Sequence, residues 1–255
     1  MTSRFGIAAQ HRPIAAALGV VAMCLASVTL SRGTTHAHAD TVGCADVELA
    51  FTRGTNQPPG VGATGEAFVG ALRDRLGNKT LNVYAVQYPA TFDAGSAKTG
   101  AADLAAHVDQ VGRRCPQSQI VLGGYSQGAL VTYGVSAAPV DLSVPTPGSD
   151  DSYAYRAVPS AQAQSIFATP IPPQDRGRVD AIVLFGNPAH RSYQGNPILL
   201  EGFPDGIVFD QCTGADPICQ VVPNADIGQD LPNHLGYPHT DMPAKAADFV
   251  TSKLR

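Results

Sequence analysis

Gln119-Ile-Val-Leu-Gly-Gly-Tyr-Ser-Gln-Gly-Ala129 is the stretch that decides the fold of this chain. Its first five residues form an apolar run typical of a buried strand, and an Ala/Leu/Val-rich segment that favours a helix begins at Ala129. Residues 124–128 match Gly-x-Ser-x-Gly, in which a serine stands on a sharp turn from strand to helix. Side chains at the two glycine positions would collide with neighbouring backbone. The pattern predicts Ser126 at the carboxyl edge of a sheet, where the helix N-terminus and the backbone N–H of Gln127 favour a developing oxyanion.

Further strands and helices alternate on both sides of this stretch. Such alternation implies parallel strands joined by right-handed crossovers. We therefore predict an α/β fold, a three-layer α/β/α sandwich around a central, mostly parallel five-stranded sheet. The predicted strands span residues 46–51, 81–86, 119–123, 179–185 and 206–209, and the predicted helices span 65–76, 99–113, a run from 129 onward, and 242–253.

The N-terminal segment is predicted to be a secretory signal peptide. Residues 1–39 contain three arginines and no acidic residue, and residues 14–30 form an almost purely apolar run. Ala37-His38-Ala39 then fits a small-residue cleavage site before Asp40. An uncleaved membrane anchor is the alternative, but the run is short and rich in alanine. The chain is thus divided into a signal peptide at 1–39 and one domain at 40–255.

The composition is typical of a globular protein with many turns. Of the 255 residues, 44% are apolar and 15% charged, with 26 Gly and 20 Pro, which excludes collagen-like, coiled-coil and strongly disordered classes. The net charge is −4, and it becomes −7 once the three arginines of residues 1–39 are removed. An acidic domain without a basic block argues against nucleic acid and anionic membrane surfaces as partners, and no stable membrane insertion is expected after the signal is removed.

Four cysteines remain after the signal peptide is removed with Cys24. An even number in an exported chain suggests two disulfides, for which three pairings exist in principle. Cys212 and Cys219 enclose a short, turn-rich segment and are natural partners, which leaves Cys44 with Cys115. No pair has the spacing of a zinc site, and neither a metal nor another cofactor is expected.

A proline-rich stretch at about 145–173 interrupts the alternation of strands and helices. Loops of this length in a compact domain are uncommon and are usually lids, binding loops or disordered segments. The composition does not distinguish these interpretations.

A nucleophilic serine needs a base, and the base needs a carboxylate to orient it. In a fold of this kind the partners follow the serine in the order acid, then histidine. His234 and His239 both fit the base, because they precede the last helix in what we expect to be a loop. His107 precedes the serine and is interpreted as a helix residue on a partly solvated face. His190 follows the fourth strand too closely to leave room for an intervening acid.

Asp216 stands out among the candidate acids. It lies in the eight-residue segment 212–219, which the expected disulfide would close into a small loop. Closure would fix the direction of the carboxylate, and a catalytic triad tolerates little misplacement. No such restraint acts on the other aspartates between the fourth strand and the two histidines, which are Asp205, Asp210, Asp226 and Asp230.

The chain resembles the cutinase family of α/β-hydrolase serine esterases, and is most similar to its secreted mycobacterial and actinobacterial members. The resemblance extends over nearly all of residues 40–255. It rests on six strings: Cys44-Ala-Asp-Val-Glu-Leu-Ala-Phe-Thr-Arg-Gly-Thr55, Arg114-Cys-Pro116, Gly124-Tyr-Ser-Gln-Gly128, Leu184-Phe-Gly-Asn-Pro188, the segment Cys212 to Cys219, and His234-Leu-Gly-Tyr237.

The resemblance implies that Ser126 is the nucleophile, Asp216 the orienting acid and His234 the general base. His234 is preferred to His239 because only His234 begins the matching His-Leu-Gly-Tyr string. The oxyanion hole implied is formed by Thr55 and Gln127. The implied disulfides join Cys44 to Cys115 and Cys212 to Cys219, in agreement with the spacing.

The function implied is a secreted, monomeric serine esterase that cleaves carboxylic esters through an acyl-enzyme. Its substrates would be short- to medium-chain acyl esters, cutin-like polyesters or lipids. Phospholipase, lipase or thioesterase specificity on the same three residues is an alternative. A non-catalytic exported protein that binds lipid or cell wall is another, because the proline-rich insertion could cover the serine.

Overall fold

A single parallel sheet lies at the centre of the part of the chain that the structure describes. The structure is a computed structural model and describes residues 43–136, 170–190, 200, 202–220, 222 and 226–255. The strand order is β2-β1-β3-β4-β5, and each neighbouring pair is parallel. The strands are β1 (Val47–Thr52), β2 (Leu81–Ala85), β3 (Gln119–Tyr125), β4 (Val179–Phe185) and β5 (Val208–Gln211).

Helices cover both faces of this sheet, because side chains alternate between the faces along each strand. Ala50 and Leu122 point to the face covered by α2 and α3, whereas Leu49 and Phe51 point to the face covered by α1 and α6. The predicted three-layer sandwich is therefore confirmed. The helices are α1 (Gly62–Arg73), α2 (Ala94–Arg114), α3 (Gln127–Ser136), α4 (Pro173–Arg176), α5 (Ile227–Leu235) and α6 (Met242–Lys253), with a 3₁₀ turn at Tyr237–His239.

The strand order creates a crevice at the carboxyl ends of β1 and β3. After β1 the chain turns to the face of α1, and after β3 it turns to the opposite face, occupied by α3. Ligands of open α/β sheets bind at such a switch point, outside the carboxyl ends of the strands. The loop after β1 and the N-terminus of α3 meet there.

Some boundaries differ from the sequence prediction for identifiable reasons. Helix α2 begins at Ala94, five residues before the predicted start, because the Asp93 carboxylate caps it by accepting a hydrogen bond from the Ser96 N–H. Its first turns contain small residues that give no apolar periodicity. Strand β5 lies two residues later than predicted, since polar residues at its end still pair with β4.

His107 lies in helix α2 and is partly buried, as predicted for a helix residue on a partly solvated face. Its Nε2 lies 2.7 Å from Glu48 Oε1, and its ring stacks on Tyr84 with a centroid separation of 3.6 Å. The same Glu48 carboxylate accepts two hydrogen bonds from the Asn82 side chain. A polar network therefore joins α2 to the amino-terminal half of the sheet, away from the crevice.

Two predicted segments lie outside the described residues. They are the signal peptide at 1–39 and the proline-rich insertion, of which only residues 170–173 are described. Within the described ranges, no helix has the length and apolar character needed to span a membrane.

Candidate active site

Ser126 occupies the sharp turn predicted between β3 and α3. Its φ of +55° is in the left-handed region, which non-glycine residues seldom adopt. A Cβ at Gly124 would overlap the carbonyl oxygen of Gly128, and a Cβ at Gly128 would overlap the carbonyl oxygen of Thr52. The steric reason given for both glycines is thus confirmed. The close approach places the start of α3 directly against the end of β1.

The structure brings Ser126, His234 and Asp216 into one hydrogen-bonded chain. His234 Nε2 lies 2.8 Å from Ser126 Oγ, and His234 Nδ1 lies 2.8 Å from Asp216 Oδ2. Asp216 is fully buried and His234 is 4% exposed. A neutral imidazole that donates from Nδ1 to the carboxylate presents an unprotonated Nε2 to the serine hydroxyl, which is the arrangement a general base requires.

The Asp216 carboxylate is held by the loop that the sequence singled out. The Cys212–Cys219 disulfide closes this loop, and the Ile218 N–H donates to Asp216 Oδ1 at 2.8 Å. Burial by itself raises the pKa of Asp216, but the hydrogen bonds from His234, Ile218 and Tyr237, together with the charge of His234, outweigh burial and lower the pKa below its ordinary value. Asp216 is therefore a carboxylate at neutral pH.

His234 lies within helix α5, not in the loop predicted for it. Its ring stacks on Tyr125 with a centroid separation of 5.1 Å, and the Tyr125 hydroxyl donates to the His234 carbonyl oxygen at 2.7 Å. Gly186, directly after β4, lies beneath the ring: a Cβ there would be 2.9 Å from His234 Cε1. His239, the other predicted candidate base, lies in the 3₁₀ turn and is exposed.

Thr55 and Gln127 bring two backbone N–H groups to the crevice. The Thr55 loop is fixed by Arg53, whose buried guanidinium donates to the carbonyl oxygens of Gln57, Val86 and Tyr88. Gln127 is the first residue of α3, where backbone N–H groups lack an intrahelical acceptor. Among the described residues, neither the Thr55 N–H nor the Gln127 N–H has a hydrogen-bond acceptor. Both are available to a ligand.

Both expected disulfides are present, Cys44–Cys115 and Cys212–Cys219. Cys212, Cys219 and Asp216 also bring possible metal-ligand atoms within 4.8 Å of one another. Their two sulfurs are bonded to each other, so the thiolates that a metal would need are not available.

Sequence reasoning missed three residues that fix the site. Gly186 and Tyr237 both lie in strings that carried the family resemblance, and Tyr125 lies within the serine turn, but no role was predicted for them. His190, which was set aside as a base, pairs with Asp210 at 2.8 Å, and this hydrogen bond raises the pKa of His190.

Comparison with known proteins identifies the family. A family model described as Cutinase matches residues 43–254. The chain belongs to the cutinase family. This chain is 36% identical over 235 residues to Phospholipase Culp4 of Mycobacterium tuberculosis, which covers 92% of this chain and 90% of that relative. It is 33% identical over 244 residues to Probable carboxylesterase Culp2 of Mycobacterium bovis, with 94% of each chain covered.

Solved structures agree with this assignment. A Trichoderma reesei cutinase in complex with a phosphonate inhibitor has a TM-score of 0.57 and 27% identity, over 83% of this chain and 78% of that chain. An acetyl xylan esterase has a TM-score of 0.56 over 83% of this chain and 100% of that chain, and at 23% identity it shows the shared fold alone. This member of the cutinase family is therefore an α/β-hydrolase of the carboxylic-ester hydrolase class.

The position of Gly186 beneath His234 predicts a defect when this glycine is enlarged. Gly186→Ala should lower kcat/KM for p-nitrophenyl butyrate about tenfold or more, because the added methyl displaces the imidazole and the φ of +56° disfavours alanine. Gly70→Ala is the matched control, since nothing lies within 4 Å of its added methyl. In helix α1 that change should leave activity intact and add about 0.5–1 kcal/mol of stability. Wild-type activity in Gly186→Ala would contradict the steric argument.

Proposed function

We propose that Ser126, His234 and Asp216 form a catalytic triad that hydrolyses carboxylic esters through an acyl-enzyme. The observation that carries this proposal is the pair of 2.8 Å hydrogen bonds that connects the serine on its strained turn to the buried carboxylate through His234. All three residues come from one chain, so the proposed reaction needs no second copy of it.

The reaction begins when Ser126 Oγ attacks the ester carbonyl carbon and its proton passes to His234 Nε2. Asp216 stabilises the imidazolium that forms. The backbone N–H groups of Thr55 and Gln127 bind the oxyanion, and the C–O bond to the alcohol breaks as His234 returns the proton to the leaving oxygen. Water, activated by the same histidine, then attacks the acyl-enzyme, which releases the acid and regenerates the serine.

Apolar side chains around the site support esters with apolar acyl groups as substrates. We use the name apolar rim for Phe92, Leu231 and Leu235, which are 71%, 36% and 58% exposed and are the exposed large apolar residues within the described ranges. Leu231 and Leu235 belong to the helix that carries His234, and Phe92 follows Thr91, whose carbonyl oxygen accepts a hydrogen bond from the Gln127 side chain. Exposed apolar residues on segments that adjoin a candidate site favour an apolar ligand there. The names of the curated relatives, phospholipase and carboxylesterase, are consistent with this substrate class.

We infer that the enzyme is exported from the cell. The basic and apolar character of residues 1–39 fits a signal peptide, and two disulfides suit an oxidising compartment. We therefore propose that the mature enzyme begins at Asp40 and acts outside the cell or at its wall.

Ser126→Ala tests the triad. Hydrolysis of p-nitrophenyl butyrate by the purified protein should fall by about 10⁴-fold or more, because the nucleophile is lost. A fluorophosphonate probe should label the wild-type protein at Ser126 and leave the variant unlabelled. Full activity in Ser126→Ala would exclude the mechanism. A wild-type protein that binds lipid but neither hydrolyses the ester nor reacts with the probe would favour the non-catalytic alternative.

Replacing the apolar rim tests the substrate class. The triple variant Phe92→Ser, Leu231→Ser, Leu235→Ser should lose about fivefold or more of its activity on p-nitrophenyl palmitate in mixed micelles, because apolar contact is removed. Activity on dissolved p-nitrophenyl acetate should change less than twofold. Lys245→Ser, at an exposed position on α6, serves as the control. Equal losses on both esters would mean that the rim does not contact the acyl chain.

N-terminal sequencing of protein exported from an actinobacterial host tests the signal peptide. The mature chain should begin at Asp40, and Ala37→Arg should block cleavage because the processing site requires small residues. Recovery of the uncleaved chain in the membrane fraction from the wild-type gene would support the membrane-anchor alternative.

A further inference from the structure

Tyr237 contacts Asp216, the charged residue at the end of the proposed triad that is distant from Ser126. Its hydroxyl donates to Asp216 Oδ2 at 2.8 Å, and this is the same oxygen that pairs with His234 Nδ1. The Tyr237 side chain is fully buried and packs edge-on against the His234 ring. Hydrogen bonds from His234, Ile218 and Tyr237 therefore hold the carboxylate, and Tyr237 supplies the hydroxyl donor.

We propose that Tyr237 is a positioning residue that orients the Asp216 carboxylate toward His234. This inference rests on the proposed triad. Tyr237 acts through Asp216 and touches neither the ester nor the reacting atoms. Its role is thus distinct from the roles of Ser126 and His234.

The hydroxyl of Tyr237 is oriented before any substrate binds. The Thr213 N–H donates to the Tyr237 oxygen at 3.1 Å, which leaves the hydroxyl hydrogen to point at Asp216. Burial, followed by the charge of Asp216, raises the pKa of Tyr237, so the phenol remains a donor over the whole range in which an esterase is assayed. Thr213 adjoins Cys212, so the same hydroxyl also connects the disulfide loop to the 3₁₀ turn that follows α5.

A hydrogen-bond donor at Asp216 Oδ2 changes the electrostatic environment of the His234 ring. The hydroxyl hydrogen carries a partial positive charge close to the carboxylate and disfavours a second positive charge on the imidazole. Removing the hydroxyl leaves the Asp216 charge less compensated, so the carboxylate attracts a protonated imidazole more strongly. Because catalysis requires a neutral His234, the acid limb of the kcat/KM profile should then move to higher pH.

Tyr237→Phe is the direct test, because it removes the hydroxyl and keeps the buried ring. We expect kcat for p-nitrophenyl butyrate to fall about tenfold, as for loss of one hydrogen bond to a charged group, with KM changed less than twofold. The acid limb should move up by about half a pH unit or more. An NMR titration of the His234 ring in a Ser126→Ala background should show the same displacement.

A second tyrosine hydroxyl that donates to a carboxylate, that of the partly buried Tyr84, provides a matched control. Tyr84→Phe removes a hydrogen bond to a different carboxylate, Asp103, on the far side of β1 from β3, and should leave both kcat and the limb unchanged. A shift confined to Tyr237→Phe excludes a general effect of deleting a tyrosine hydroxyl that donates to a carboxylate.

Results that contradict the positioning role of Tyr237 can be distinguished from results that contradict the triad. An unshifted acid limb and an unshifted His234 titration in a folded Tyr237→Phe protein would overturn the positioning role while leaving the triad intact. If Tyr237→Phe does not fold, Thr213→Pro removes the N–H that orients the hydroxyl and should produce a smaller shift in the same direction; no shift in that variant would also overturn the role. Failure of the triad would be visible instead as full esterase activity in Ser126→Ala.

Discussion

The close approach of α3 to β1 is the constraint on which the site depends. Gly128 lies so near the carbonyl oxygens of Thr52 and Arg53 that a side chain cannot be accommodated. This contact holds Ser126 in its left-handed conformation and places the first N–H groups of α3 beside the loop after β1. Ser126 and both candidate oxyanion donors are therefore positioned by one backbone contact. A movement of α3 relative to β1 would separate Ser126 and the Gln127 N–H from the Thr55 N–H.

A buried carboxylate organises the other half of the site. Removing an ion such as Asp216 from water costs several kcal/mol unless partners compensate. Here an imidazole, a phenol and a backbone N–H compensate together, and the disulfide loop holds the carboxylate within reach of all three. The low dielectric that makes the charge costly also strengthens its interaction with His234. The burial of Asp216 is thus both a cost to stability and the means by which the carboxylate acts on the histidine.

The sequence predicts those features of the site that depend on residues close together in the chain. The serine turn was predictable because two glycines and an apolar strand lie within eleven residues, and Asp216 was marked by the cysteines on either side of it. Gly186 and Tyr237 escaped prediction because each acts on a residue brought close only by the packing of separate elements. The start of α2 was missed for a different reason: its first turns contain small residues and depend on the Asp93 cap, which leaves no periodic pattern. Roles that depend on a steric or electrostatic neighbour need the fold before they can be assigned.

The placement of His234 illustrates this dependence most clearly. Helix α5 is short and contains Pro232, so its own backbone hydrogen bonds cannot define the imidazole position to a few tenths of an ångström. The position of the imidazole is instead defined by residues at the ends of two strands of the sheet. Tyr125 at the end of β3 holds the carbonyl oxygen and one face of the ring, and the residue after β4 lies below the ring, where only glycine fits. His234 is therefore positioned by residues at the ends of β3 and β4, and Ser126 directly follows β3, although the two residues are 108 apart in sequence. Because Leu231 and Leu235 share the helix with His234, the same contacts also fix two of the three residues of the apolar rim relative to His234.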